Sequence, residues 1–172
     1  EDPLKEWALL LNDVMRYFRQ VCVNYHYDFV QENWKWPIRN IKLRHSRLLM
    51  YTGLLALLGE CSKERSDKIN WLKNRLLLTP LERLAYVYHM NNDTSFHRIC
   101  GAYSIFLGRL SDPGIRSLLN SKEATIRYEE RALNATFNEL KANSDAFVAE
   151  LLRFLRARQG QWTERFFEYL LF

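Results

Sequence analysis

The sequence predicts an all-α protein, an antiparallel multi-helix bundle of six to eight helices. Three observations carry that prediction. Apolar residues recur at spacings of three and four along most of the chain. No alternation of period two is long enough for a strand. Glycine and proline are few, six and four in 172 residues, and Pro80 and Pro113 directly follow Thr79 and Asp112. Proline belongs at the first position of a helix, where its missing N–H would have had no partner.

The first helix is expected from Leu4 to about Tyr27. Trp7, Leu10, Leu11, Val14, Phe18, Val21 and Cys22 make its apolar face, and Asn12, Arg16 and Arg19 form a polar stripe at the same spacing. Pro37 opens a second helix, which runs to Gly59 as a glycine C-cap. A polar turn, CSKERSD, precedes a short amphipathic helix from Lys68 to Leu78. TPLE, Thr79 to Glu82, has an N-cap Thr, Pro at the first helical position and Glu three residues after the cap, which is a capping box. Asn91, Asn92 and Asp93 break the pattern before a helix from Ser95 to Leu110. Asp112-Pro113 starts a short helix ending near Leu119. From Lys122 to Arg158 the pattern is helical, with Phe137, Leu140, Phe147, Leu151 and Leu155 inward; Asn143-Ser144 either splits this helix or lies on its polar face. The last helix, Glu164 to Phe172, ends in aromatics expected to dock on the body.

With 172 residues, 48% of them apolar, the chain fits a single helical domain, 1–172, with a real core. It begins at Glu1 rather than Met and shows no signal peptide, so it reads as a piece of a longer protein. No apolar run reaches the roughly 18 residues that cross a bilayer. Cys22, Cys61 and Cys100 are odd in number and far apart, which suits three reduced thiols in a cytoplasmic protein.

Much common chemistry is missing. His26, His45, His89 and His97 make no zinc-ligand cluster, and there is no GxxxxGK[ST], GxGxxG or GxSxG sequence. No two Asp residues form a DxD or DxxD pair to hold the cations of two-metal phosphoryl transfer.

Charge supplies the positive signal. The net charge is +5, and Lys35 to Arg75 holds ten basic and three acidic residues, against fifteen and seventeen in the remainder. WKWPIRNIKLRHSRLLMYTGLL, Trp34 to Leu55, begins with five cations and no acid, then becomes almost uncharged. On a regular helix, at about 100° per residue, Arg39, Lys42 and Ser46 fall within roughly 60° of each other. Such a stripe can grip phosphate oxygens, Arg through its fork and Lys as a point charge. Arg16 and Arg19 reach the same stripe if the first two helices pack antiparallel. The alternatives are a solvated surface with internal ion pairs, or a partner-protein surface anchored by Trp34 and Trp36. Those tryptophans equally suit the core.

RNIKLRH, Arg39 to His45, resembles the Arg-Asn…His signature of HEPN-domain ribonucleases. There the His moves a proton and the Arg stabilises the phosphorane as a ribose 2′-OH attacks the adjacent phosphate. The resemblance implies Arg39 and His45 as catalytic residues of a metal-independent, dimeric ribonuclease. The structural alternative for His45 is an interhelical hydrogen bond.

A longer resemblance covers nearly the whole chain. LLNDVMRYFRQVCVNYHY, PIRNIKLRHSRLLMYTGLL, LTPLERL, FLGRLSDPGIRSLL and the terminal YLLF, in that order, are similar to the C-terminal helical half of a group of bacterial nucleotidyltransferase-like proteins of the polymerase-β superfamily. In that superfamily the N-terminal half carries a Gly-Ser turn and paired Asp residues, both missing from this chain. The resemblance implies an N-terminal catalytic domain in cis, with Mg2+ and a nucleoside triphosphate bound by the full-length protein. It implies Lys42, with Arg39 and Ser46, facing the nucleotide phosphates, and Arg16 and Arg19 lining the same cleft. RNA, a protein side chain and a small molecule are all compatible acceptors. A helical interaction module without a ligand is the remaining alternative.

Overall fold

Several helix starts follow the capping chemistry of the sequence in a computed structural model that describes residues 4–31, 35–63, 67–120 and 134–171. Helices α1 (Leu4–Val30) and α2 (Trp36–Lys42) come first; α2 passes through a π turn, Leu43–Arg47, directly into α3 (Leu48–Ser62). Then follow α4 (Lys68–Leu76), α5 (Pro80–Met90), α6 (Phe96–Ser111), α7 (Pro113–Leu119), α8 (Ala135–Arg156) and α9 (Glu164–Leu171). Taking the α2–π–α3 run as one, this makes eight helices among the described residues, with no strand, as expected of an all-α protein.

Both cap-then-proline signals act as expected. Thr79 and Glu82 exchange hydrogen bonds in a complete capping box, and the Asp112 carboxylate accepts from the amides of Gly114 and Ile115. Asp67 does the same work for α4, accepting from the Asn70 amide. Trp34, Lys122 and Phe172 lie outside the described residues.

The chain divides into two compact units. The first takes Glu1–Arg19, Leu49–Phe96 and Leu151–Phe172; the second takes Gln20–Leu48 and His97–Glu150. In the first, Tyr88 stacks on Phe154 at 3.8 Å, and Trp162 meets Phe166 edge-on at 4.9 Å. Phe166 is fully buried, so the last helix docks as expected. Glu60 is also fully buried and accepts hydrogen bonds from Trp162 Nε1 at 2.8 Å, Asn91 Nδ2 at 2.7 Å and Lys63 Nζ at 2.9 Å. Burial pushes this carboxyl up, but those three donors outweigh it and hold it below the usual carboxylate range.

Gly59 is not a C-cap. The helix continues to Ser62, and Gly59 is a site of close approach: a Cβ there would lie 2.3 Å from the Trp162 ring. Phe137, Leu140, Phe147 and Leu151 are buried as expected, but at the end of the inward face of α8 Phe154 is fully buried and Leu155 only half-buried.

The core of the second unit gathers Trp36, Ile38 and Ile41 of α2 with Phe106, Leu119, Phe137 and Leu140. Trp36 is therefore core, 6% exposed, rather than an anchor for a partner. Asn143 and Ser144 do not break α8, which is continuous through them. They point inward instead, and Ser144 is fully buried.

Candidate functional site

Helix α2 owes its exposed face to its buried one. Trp36, Pro37, Ile38 and Ile41 are buried, so Arg39 and Lys42 project away from the core. The following turn departs from a regular helix. The Leu48 amide reaches the Leu43 carbonyl, five residues back, where an α-helix would reach four. One extra residue in the turn rotates everything after it by roughly 100° relative to an unbroken α-helix. Residues five apart now stack, which puts Lys42 and Arg47 on one face; both are exposed. The stripe read from the regular wheel is thereby redrawn.

His45, at the middle of the π turn, is fully buried. Its ring stacks on Phe106 at 4.3 Å and lies 5.8 Å from Phe147. Nδ1 lies 2.9 Å from the Ile41 carbonyl, which can only accept, so Nδ1 carries the proton. Nε2 then accepts from Asn143 Nδ2 at 3.0 Å, and the same amide donates to the Ala102 carbonyl at 2.8 Å. Burial holds the imidazole below its ordinary pKa, the Ile41 bond opposes this, and the neighbouring Arg44 charge adds to it. The ring is neutral and enclosed, with both nitrogens occupied. The interhelical hydrogen bond is the role it performs.

The five cations are not equivalent. Arg39 is ion-paired with Asp28 of α1. Arg44 is ion-paired with Asp145 and donates from Nε to Ser144 Oγ at 2.6 Å. Acids distant in sequence thus neutralise two cations for which the local sequence offers none. Ser46 is half-buried and hydrogen-bonds Tyr103 Oη at 3.4 Å, so its hydroxyl is engaged. Lys42 and Arg47 are the exposed members of the set that have no acidic partner among the described residues.

Arg39, Lys42 and Ser46 belong to the second unit, whereas Arg16 and Arg19 belong to the first. Both of the latter are exposed, and Arg19 donates to the Leu170 carbonyl at 3.3 Å. Arg47 was missed by the wheel because a regular helix puts it about 140° from Lys42. The signal for His45 was present: it falls four residues from both Ile41 and Leu49, on the buried face. Among the described residues no three His, Cys, Asp or Glu side chains gather so as to hold a metal ion.

Comparison with known protein families, with characterised proteins and with solved structures finds no match to this chain.

Proposed function

We propose that this chain is a helical nucleotide- or substrate-binding domain of a nucleotidyltransferase-like protein, and that Lys42 and Arg47 present its charge to phosphates. The observation that carries this reading is the pair of exposed cations on one face of the π turn without an acidic partner among the described residues. Nearby Arg39 and Arg44 are neutralised and hold the turn in shape. Two unneutralised cations one turn apart suit the oxygens of a di- or triphosphate. The family part of the proposal rests on the sequence resemblance. It assigns catalysis, Mg2+ and the Gly-Ser and paired-Asp elements to an N-terminal domain in cis, and RNA or a protein as the acceptor; the proposed cytoplasmic location rests on the three free thiols.

The ribonuclease alternative has less support. His45 would have to exchange a proton with a ribose hydroxyl, yet its ring is enclosed and both nitrogens are bonded. Arg39 pairs with Asp28.

Titration of this chain with a nucleoside triphosphate at low salt tests the proposal. Lys42→Ala and Arg47→Ala are each expected to weaken binding by roughly tenfold, the worth of one charge-assisted contact. Melting temperature should hardly change, because neither side chain is packed. Wild-type affinity in the double variant would sink the reading.

A further inference from the structure

The first unit contains a cleft of about 170 Å³ whose lining includes Trp7 and Leu10 of α1 and Lys68, Leu72, Lys73 and Leu76 of α4. Most of the wall is apolar. Lys68 is the exception that matters: the residue is 9% exposed, and its ammonium lies 5.9 Å from the centre of the Trp7 ring. It donates to the Ser62 carbonyl at 3.3 Å and has no acidic partner among the described residues. Trp7 is 5% exposed, and its buried Nε1–H has no acceptor among the described residues. A buried ammonium with a single weak acceptor among the described residues and the ring of Trp7 thus border one small, mostly apolar space. Burying an ammonium with so little to accept from it is costly.

We propose that this cleft binds a small carboxylate with an apolar body. The carboxylate supplies the acceptor oxygens that Lys68 lacks among the described residues, and its body covers Leu10, Leu72 and Leu76. A dry cavity of about 150 Å³ holds a benzene ring, so the space suits one ring or a tail of about six carbons. A single buried cation favours a monoanion, since a phosphate dianion would lose the hydration of two charges against one. Lys73, exposed on the same wall, adds attraction at the entrance.

Calorimetric titration of the chain with hexanoate and with benzoate tests this. Saturable binding and a raised melting temperature are expected, with no comparable response to hexan-1-ol or hexylamine. Lys68→Met keeps the stem and removes the charge, and should weaken binding roughly tenfold or more. Leu76→Trp fills the cleft from a partly exposed position while Lys68 stays in place, and should abolish binding even if Lys68→Met proves too unstable to assay. Lys42→Ala/Arg47→Ala should leave hexanoate binding unchanged, which separates this site from the phosphate face. No saturable signal, equal affinity for hexan-1-ol, or undiminished hexanoate binding in Leu76→Trp would each overturn the proposal.

Discussion

His45 is neutral because burial disfavours the imidazolium and Nε2, already accepting from Asn143, would have no acceptor for a second ring proton. Its folded pKa lies below the unfolded value of about 6.5. Above that pH both states are neutral and the full stability is present. As pH falls below it, the unfolded chain takes up a proton that the folded chain refuses, so stability declines. Glu60 and Asp93 act separately and at lower pH: their carboxyls are held below the usual range, so their contribution is lost only in acid. Urea melts between about pH 6.5 and 5 should therefore show falling stability in the wild type. His45→Phe should be less stable overall but flatter across that window, and an unchanged slope would remove His45 as the cause.

Three glycines separate packing from propensity at the same scale. At Gly59 a methyl group would meet a Trp162 ring held by its bond to Glu60, so Gly59→Ala should cost roughly 1–3 kcal/mol despite the better helix former. At Gly101 and Gly108 in α6 a Cβ would meet nothing within 4 Å. There the same substitution should stabilise by up to about 1 kcal/mol. Denaturant midpoints of the three variants decide the matter.

At the scale of elements, a helix start and a helix middle behave differently. The α5 start is set locally: Thr79, Pro80 and Glu82 satisfy its first amides without help from elsewhere. Thr79→Ala should cost about 1 kcal/mol, read as a shift in urea midpoint at constant slope. The π turn is set by neighbours instead. Asn143 and Ser144 of α8 bond His45 and Arg44, and Phe106 stacks on the imidazole. These contacts stabilise a wide turn that no local propensity favours, and the turn brings Arg47 onto the Lys42 face. A polar pair in α8 that reads as a possible break is what fastens α8 to the basic helix.

For the whole molecule the relevant quantity is the charge distribution. A net charge of +5, with its surplus between Lys35 and Arg75, attracts anions over distances that salt shortens. The Debye length falls from about 30 Å at 0.01 M to about 8 Å at 0.15 M. Nucleoside triphosphate affinity should therefore drop steeply over that range. The Lys42→Ala/Arg47→Ala variant should show a much shallower dependence, and equal slopes would place the binding charge elsewhere. Surface pairs such as Arg109–Glu139 contribute little, since both partners are nearly half exposed.

Features that depend on neighbours a few residues away can be read from the chain alone. Helical periodicity, the caps at Thr79 and Asp112, and the burial of Phe137, Leu140, Phe147 and Leu151 are of this kind. Each follows from spacing along one helix or from hydrogen bonds that span three residues. The concentration of charge before Leu48 was legible for the same reason. Other features arise only when folding brings together residues from long stretches of chain. Asp28 and Asp145 neutralise Arg39 and Arg44, Trp162 turns Gly59 from a helix end into a packing site, and Asn143 takes His45 into the core. The candidate phosphate face follows from these. Which cations stay exposed and unpaired is set by acids up to a hundred residues away and by a π turn that distant side chains hold open, and no local pattern encodes either.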